Sequence, residues 1–346
     1  MEHKIAMLGF GVVGQGLAEI ILEKAGSLVQ DTGFQPKVVA ISDKMKGAVY
    51  NPDGLDLSEV LRAVKETGTL DAYPEESGLI RGWDSFQTIT ETNADTIVEL
   101  TFTDVNTGQP AIDHCKAAFE SKKNVVMSNK GPVALAYKEL SEIAKENGVC
   151  WGFEGTVMSG TPSLRMPLVS LAGNEIREVK GILNGTTNFI LTRMEEGLRY
   201  EDALAEAQSL GYAEADPTSD VEGYDAQYKI TILANTVMNI PLSRDDVSRE
   251  GIVHLTQEDI HTAKSQGKRW KLIASCRKEG NRVIAKVGPE AVPLTDPLSS
   301  VGGAVNAVTY DCDLAGPITL IGAGAGRKET GFSILIDLIN INRNQL

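Results

Sequence analysis

An apolar run opens the chain at residues 4–9 (KIAMLG) and is broken by Gly9, Gly11 and Gly14, after which Leu17, Ile20, Ile21 and Leu22 recur at helical spacing. The pattern predicts a buried strand, a tight turn and a helix. Short apolar runs return at 37–41 (KVVAI), 96–100 (TIVEL) and 124–127 (NVVM), with a helix-like segment over 110–120. Strands alternating with helices predict a parallel sheet with right-handed crossovers. Between 46 and 86 lies a longer insertion, with a helix expected over 57–65 and a Pro/Gly-rich stretch after it.

Past Gly148 the character changes. Thr, Ser, Gly and Pro crowd residues 155–162, and the periodicities lose regularity, which places a domain boundary near Val149. Residues 200–237 read as helix-rich, 270–276 and 282–287 as strands, and 330–341 as a closing helix. An open edge on a sheet built from such strands suits a dimer.

Composition narrows the possibilities. A length of 346 residues with 42% hydrophobic and 23% charged content fits a soluble protein of two domains. The net charge of −14, from 47 acidic against 33 basic residues, opposes broad binding to phosphate backbones or anionic lipid. Glycines interrupt the N-terminal apolar run and Glu19 and Glu23 follow it, so it reads as no signal segment. No stretch approaches the roughly 18 apolar residues of a membrane span, and a cytoplasmic enzyme is expected. Cys115, Cys150, Cys276 and Cys312 are too scattered for a disulfide framework, and the four histidines lack the spacing of a transition-metal site.

Three segments carry candidate chemistry. Gly9-Phe10-Gly11-Val12-Val13-Gly14 fits GxGxxG between a strand and a helix, where glycines let a pyrophosphate approach the helix N-terminus. Asp43 ends the next strand, where a carboxylate accepts from the ribose hydroxyls of NAD, while Lys44 and Lys46 favour the 2′-phosphate of NADP; the choice stays open. Lys130 follows Ser128 and Asn129 at the C-terminal end of a strand, where ligands collect in open α/β sheets, although on pattern alone a loop lysine reads as surface charge.

From 210 to 229 the segment LGYAEADPTSDVEGYDAQYK brings Glu214, Asp216, Asp220, Glu222 and Asp225 ahead of an apolar helix. On pattern alone the acids complement a helix dipole, and Asp225 with Lys229 forms an i,i+4 surface pair. The alternative is a pocket whose carboxylates take a substrate ammonium, with Lys229 held charged by Asp225. Gly322-Ala323-Gly324-Ala325-Gly326 looks like a phosphate cradle but lacks the GK[ST] ending of an ATP loop, so Gly322 and Gly324 are expected against a bound nucleotide.

Together these segments resemble homoserine dehydrogenase along nearly the whole chain. The resemblance rests on GFGVVG (9–14), SNKGPVA (128–134), EGTVMSGTP (154–162), GILNGTTNFIL (181–191) and the 210–229 segment. It implies an α/β protein: a Rossmann-type parallel-sheet nucleotide-binding domain over 1–148, completed by 316–346, and a mixed α/β catalytic and dimerisation domain over 149–315. The implied activity is the reversible NAD(P)-dependent interconversion of L-homoserine and L-aspartate 4-semialdehyde in threonine, methionine and isoleucine biosynthesis, by a homodimer. Lys130 and Lys229 are implied at the reacting centre with Asp225 beside Lys229. Glu214 and Asp220 hold the amino-acid end of the substrate, and Asn184, Gly185 and Thr186 shape its pocket. Gly9, Gly11, Val12, Val13, Gly14, Asp43, Lys44, Lys46, Ser128, Gly322 and Gly324 fall to the cofactor. Glu154 and the carbonyls of Val157, Ser159 and Thr161 fall to a structural sodium ion. Many relatives have GG or GA where this chain has Met158-Ser159, and the regulatory ACT domain of longer relatives is not expected.

Two rival readings meet obstacles in the sequence. An aspartate semialdehyde dehydrogenase needs a cysteine nucleophile, and no cysteine lies in the pocket motifs. A non-catalytic NAD(P)-sensing regulator has no need of Lys130, Lys229 and Asp225.

Overall fold

The computed structural model describes residues 2–102, 104 and 106–345. The chain folds as two compact units, Met1–Thr156 with Gly326–Leu346, and Val157–Ala325.

In the first unit the elements run β1 (Glu2–Leu8), α1 (Val12–Ser27), β2 (Gln35–Asp43), β3 (Gly47–Tyr50), α2 (Leu57–Thr67), β4 (Ile80–Arg81), α3 (Ser85–Glu91), β5 (Thr96–Glu99), α4 (Ala111–Glu120), β6 (Asn124–Met127), α5 (Lys130–Asn147) and β7 (Trp151–Gly152). They build one sheet in the order β4-β3-β2-β1-β5-β6-β7. Strands β2, β1, β5, β6 and β7 run parallel, while β3 and β4 extend the sheet antiparallel from β2. The parallel strands read as continuous apolar runs because both their faces are covered; Ile5–Leu8 are wholly buried. The chain leaves β1 on one side for β2 and returns on the other for β5, so the C-terminal end of β1 is a switch point, where open α/β sheets collect ligands.

The second unit runs β8 (Ile176–Ile182), α6 (Gly185–Glu195), α7 (Tyr200–Ser209), α8 (Thr218–Val221), α9 (Tyr224–Thr236), β9 (Ser248–Arg249), α10 (Gln257–Ser265), β10 (Lys268–Glu279), β11 (Arg282–Pro293), β12 (Val305–Cys312) and β13 (Gly316–Ala323). Its sheet has the order β13-β12-β8-β10-β11-β9, antiparallel except for β11 with β9. A core of Ile182, Ile273, Val292, Leu298, Val301 and Ala307 lies on it.

The last helix, α11 (Arg327–Asn342), returns to the first unit and buries Ile334, Leu335, Leu338 and Ile339 in its core. It packs so closely on α1 that a Cβ on Gly16 would lie 2.4 Å from the Arg327 carbonyl oxygen. Arg327 grips Glu19 with two bonds, 2.7 and 3.0 Å. The division therefore falls after Thr156 rather than near Val149. The return begins at Gly326 rather than 316, because residues 316–323 are laddered to β12 as a strand of the second sheet.

Candidate active site

In the first unit the glycine turn follows β1 directly. Gly9 has φ +89°, and a Cβ there would meet the Leu100 carbonyl oxygen at 2.6 Å, so only glycine closes this turn against β5. The Gly9 N–H bonds the Ser42 carbonyl at 2.8 Å, which ties the turn to the end of β2. Helix α1 then starts with Gly11 as its N-cap and no side-chain cap bond, and nothing lies within 4 Å of where a Gly11 Cβ would be. Val12 is exposed, and Gly14 packs under the Phe10 ring and the Gly9 carbonyl. An open helix N-terminus beside a glycine is a fit cradle for a pyrophosphate.

Asp43 does more than end β2. Its Oδ2 accepts from the Phe10 N–H at 2.7 Å, and its Oδ1 from the Met45 and Lys46 N–H groups at 2.9 and 3.0 Å. Burial pushes its carboxyl up, but these three donors outweigh burial and hold it below the usual aspartate value. Lys44 is exposed. At the end of β6, Ser128 precedes Asn129, whose Oδ1 caps α5 by accepting from the Gly131 N–H at 3.1 Å. Lys130 is the first residue of that helix.

In the second unit one cluster joins three elements. Asn184 caps α6, its Oδ1 accepting from the Thr187 N–H and hydroxyl at 2.9 Å each. Its Nδ2 turns the other way and donates to Asp220 Oδ1 at 2.6 Å and Asp225 Oδ2 at 3.0 Å. Lys229 Nζ lies 2.7 Å from the same Asp225 Oδ2 and donates to the Leu183 carbonyl at 2.7 Å. Lys229 is only 7% exposed. A buried ammonium needs such a pair, because an isolated one costs several kcal/mol. Burial, and after it the nearby Asp225, pushes the Asp220 carboxyl above its ordinary value. Two carboxyl groups lie close to one ammonium here, an arrangement that suits a ligand bringing its own ammonium.

The family pattern described as "Homoserine dehydrogenase" matches residues 162–339, and that of "Glutamate/Leucine/Phenylalanine/Valine dehydrogenase" matches residues 1–105. The chain belongs to the homoserine dehydrogenase family. An NAD(+)-dependent homoserine dehydrogenase of Pseudomonas canavaninivorans is 42% identical over 99% of this chain and 97% of its own length. The homoserine dehydrogenase of Methanocaldococcus jannaschii is 43% identical over 97% and 98%. A hyperthermophilic archaeal homoserine dehydrogenase solved in complex with NADPH superposes with a TM-score of 0.84 at 30% identity, covering 99% of this chain and 98% of its own. Neither rival class is favoured. Among the described residues no helix is long and apolar enough to cross a membrane.

Within this homoserine dehydrogenase fold, the expected residues fall into separate settings. Asn184, Asp220, Asp225 and Lys229 meet in one cluster. The surface ion pair that the 210–229 pattern suggested on its own is corrected: helix α9 is buried on nearly every side, and the pair with it. Gly185 lies against the Ala304 carbonyl, and Thr186 donates to the Tyr212 carbonyl at 2.6 Å. Glu214 is exposed, and its carbonyl accepts from Gln208. Asp216 Oδ1 accepts from the Thr218 N–H at 3.0 Å, and Glu222 pairs with Arg249.

Gly322 and Gly324 have a packing reason of their own. A Cβ on Gly322 would strike Thr161 Oγ1 at 2.1 Å, and one on Gly324 the Asn306 carboxamide at 2.3 Å. Met158 and Ser159 sit at φ +55° and +53°, a left-handed backbone that glycine would adopt more readily. The Val157 and Thr161 carbonyls each accept from Ser163, at 2.8 and 2.7 Å, and the Glu154 N–H donates to Asp337 at 2.9 Å. Sequence reasoning missed the Leu183 carbonyl as a partner of Lys229. A backbone oxygen leaves no residue signature, and only its place just before the Asn184 cap hinted at it.

Proposed function

We propose that this enzyme oxidises the C4 hydroxyl of L-homoserine to L-aspartate 4-semialdehyde and runs the reverse reduction in amino-acid biosynthesis. The observation that carries the reading is Lys229, buried between Asp225 and the Leu183 carbonyl in a cluster otherwise rich in carboxylate. Asp220, oriented by Asn184, takes the substrate ammonium together with Glu214, while the Gly185–Thr186 turn bounds the pocket. In the reductive direction an ammonium, of Lys229 or Lys130, gives its proton to the alkoxide oxygen forming at C4; in oxidation the neutral amine takes that proton back. Asp225 holds Lys229 in place for this exchange. The nicotinamide cofactor, when bound, supplies the hydride acceptor or donor.

The Gly9–Gly14 turn and Ser128 hold the cofactor's phosphates and nicotinamide end. Asp43, fixed and ionised, accepts from the adenosine ribose hydroxyls, so NAD is preferred over NADP, with Lys44 and Lys46 tolerating the latter. A sodium ion on Glu154 and the carbonyls of Val157, Ser159 and Thr161 is structural. Edge strand β13, which exposes Ile321, joins two copies into a dimer, to be read by light scattering. Absorbance at the reduced-nicotinamide band with L-homoserine and each cofactor tests the reaction. Turnover with NAD is expected, and a folded protein inactive with both cofactors in both directions overturns the reading.

A further inference from the structure

We propose that His114 is a positioning residue for the start of α5, acting through Glu99, Thr101 and Asn129 on the helix end that carries Lys130. The inference rests on the role given to Lys130 above and adds a part of the molecule that no motif pointed to.

Glu99, the last residue of β5, is wholly buried, and an ionised carboxylate there must find partners for both oxygens. Its Oε2 lies 2.6 Å from His114 Nδ1, and its Oε1 accepts from the Thr101 N–H at 2.8 Å and from the Thr101 hydroxyl. The other ring nitrogen, His114 Nε2, lies 2.8 Å from Ser85 Oγ, and Phe86 packs edge-on against the ring at 5.1 Å. On the far side, the Thr101 carbonyl accepts from Asn129 Nδ2 at 3.1 Å, and Asn129 Oδ1 accepts from the Gly131 N–H at 3.1 Å.

Donors and acceptors alternate without conflict along this chain. Nδ1–H donates to Glu99, the Thr101 N–H and hydroxyl donate to Glu99, and Asn129 donates to Thr101 while its own oxygen receives Gly131; the Ser85 hydroxyl serves Nε2 as donor or acceptor. Facing a carboxylate, Nδ1 carries a proton. Removing the imidazole leaves Glu99 Oε2 buried and unmatched. The carboxylate must then turn or draw in water, and Thr101, which hangs on its other oxygen, moves with it. Thr101 orients Asn129, and Asn129 sets the first turn of α5. A displacement of about 1 Å at a reacting group costs on the order of 10²-fold in rate, so a partial shift is expected to cost about 10-fold.

A double-mutant cycle tests this in the full-length enzyme, with homoserine oxidation as the assay and circular dichroism as the folding check. His114→Ala is expected to lower kcat about 10-fold, and His114→Asn, which returns an N–H toward Glu99, to recover most of it. In a Lys130→Ala background, adding His114→Ala should cost less than about 2-fold more, because residues acting through one another are not additive. A folded His114→Ala enzyme with wild-type kcat, or one whose loss is equal in both backgrounds, overturns the inference alone. A Lys130→Ala enzyme with wild-type kcat overturns the role of Lys130 and the inference with it. Should His114→Ala fail to fold, Thr101→Val, nearly equal in shape but without the hydroxyl, enters the same cycle with the same readings.

Discussion

Lys130 and Lys229 have the same proposed reaction to serve, yet the protein places them by different means. Lys229 sits one turn into α9 in a buried cluster, fixed by the Asp225 carboxylate and the Leu183 carbonyl. Lys130 is half-buried and opens α5, which is kinked at Ala136. It follows the Asn129 cap, at the helix end whose dipole does not favour a cation. One lysine is sealed inside a buried cluster, the other stands half-buried at a helix start. The first should therefore matter to the fold as well as to the chemistry, and the second mainly to the chemistry.

The sharpest test of that contrast is the pair Lys229→Ala and Lys130→Ala. Loss of a positioned proton donor or its electrostatic partner costs about 10²- to 10⁴-fold, and both variants are expected to lose kcat in that range. Their melting should differ. Lys229→Ala takes the ammonium away from two half-buried carboxyls, Asp225 and Asp220, and breaking a buried pair costs about 3–5 kcal/mol. Lys130→Ala should melt close to the wild type. Equal destabilisation of the two variants in thermal melts followed by circular dichroism would erase the distinction. A Lys229→Ala enzyme with near wild-type kcat would leave Lys130 as the only candidate donor.

Glu214 extends the contrast to the carboxylates. Asp220 is built into the cluster, whereas Glu214 is exposed. If its carboxylate serves only to anchor the substrate ammonium, Glu214→Ala raises the KM for homoserine about 10-fold with kcat kept, the pattern of lost uniform binding. A fall in kcat at unchanged KM would place Glu214 in the chemistry instead.

The same contrast explains what the sequence made readable. Strands β1, β2, β5 and β6 were legible because buried parallel strands are short apolar runs, and the glycine turn because its spacing is bounded by a strand and a helix. β8, β12 and β13 were not read as strands: they carry half-exposed positions, glycine and threonine in a mixed sheet, and weaken the alternation. β3 and β4 are too short to show a period. For Lys229 the signal was present in the run from Ile230 to Ala234, apolar at every position but Thr231, since a helix so rich in apolar residues has little surface for an ion pair. Glu99 and His114 were invisible, fifteen positions apart with no shared motif, because only the fold brings α4 over the end of β5.

Asp43 offers a smaller test, now sharper than a choice between two cofactors. Its carboxylate accepts from the Phe10 N–H besides the ribose contact proposed for it, so on that proposal Asp43→Ala both removes repulsion of a 2′-phosphate and loosens the glycine turn. The KM for NAD is expected to rise about 10-fold and that for NADP by less than about 3-fold, turning the preference toward NADP. If both rise equally, the carboxylate is scaffold only and touches no ribose.

The smallest effect concerns stability against function at Asp220. Its carboxyl is raised above the ordinary 3.8, by burial first and by Asp225 second, so the folded state binds its proton more tightly than the unfolded chain does. A raised acid favours folding fully below the unfolded value and loses that contribution as pH climbs through the folded value; at neutral pH the ionised group opposes the fold. Asp220→Asn keeps an oxygen for Asn184 and removes the charge. It is expected to melt slightly above the wild type at pH 7, with the gap closing as pH falls toward 3.8 and the native carboxyl takes up its proton. The same variant loses the counter-charge for the substrate ammonium, so its KM for homoserine should rise. In the wild type KM should rise on the acid side at a higher pH than an ordinary aspartate would give. Melting curves and KM across pH 4 to 8 decide the matter: a variant less stable at pH 7, with the acid-side rise in KM unchanged, would show that Asp220 is a structural acid and not the one that receives the substrate.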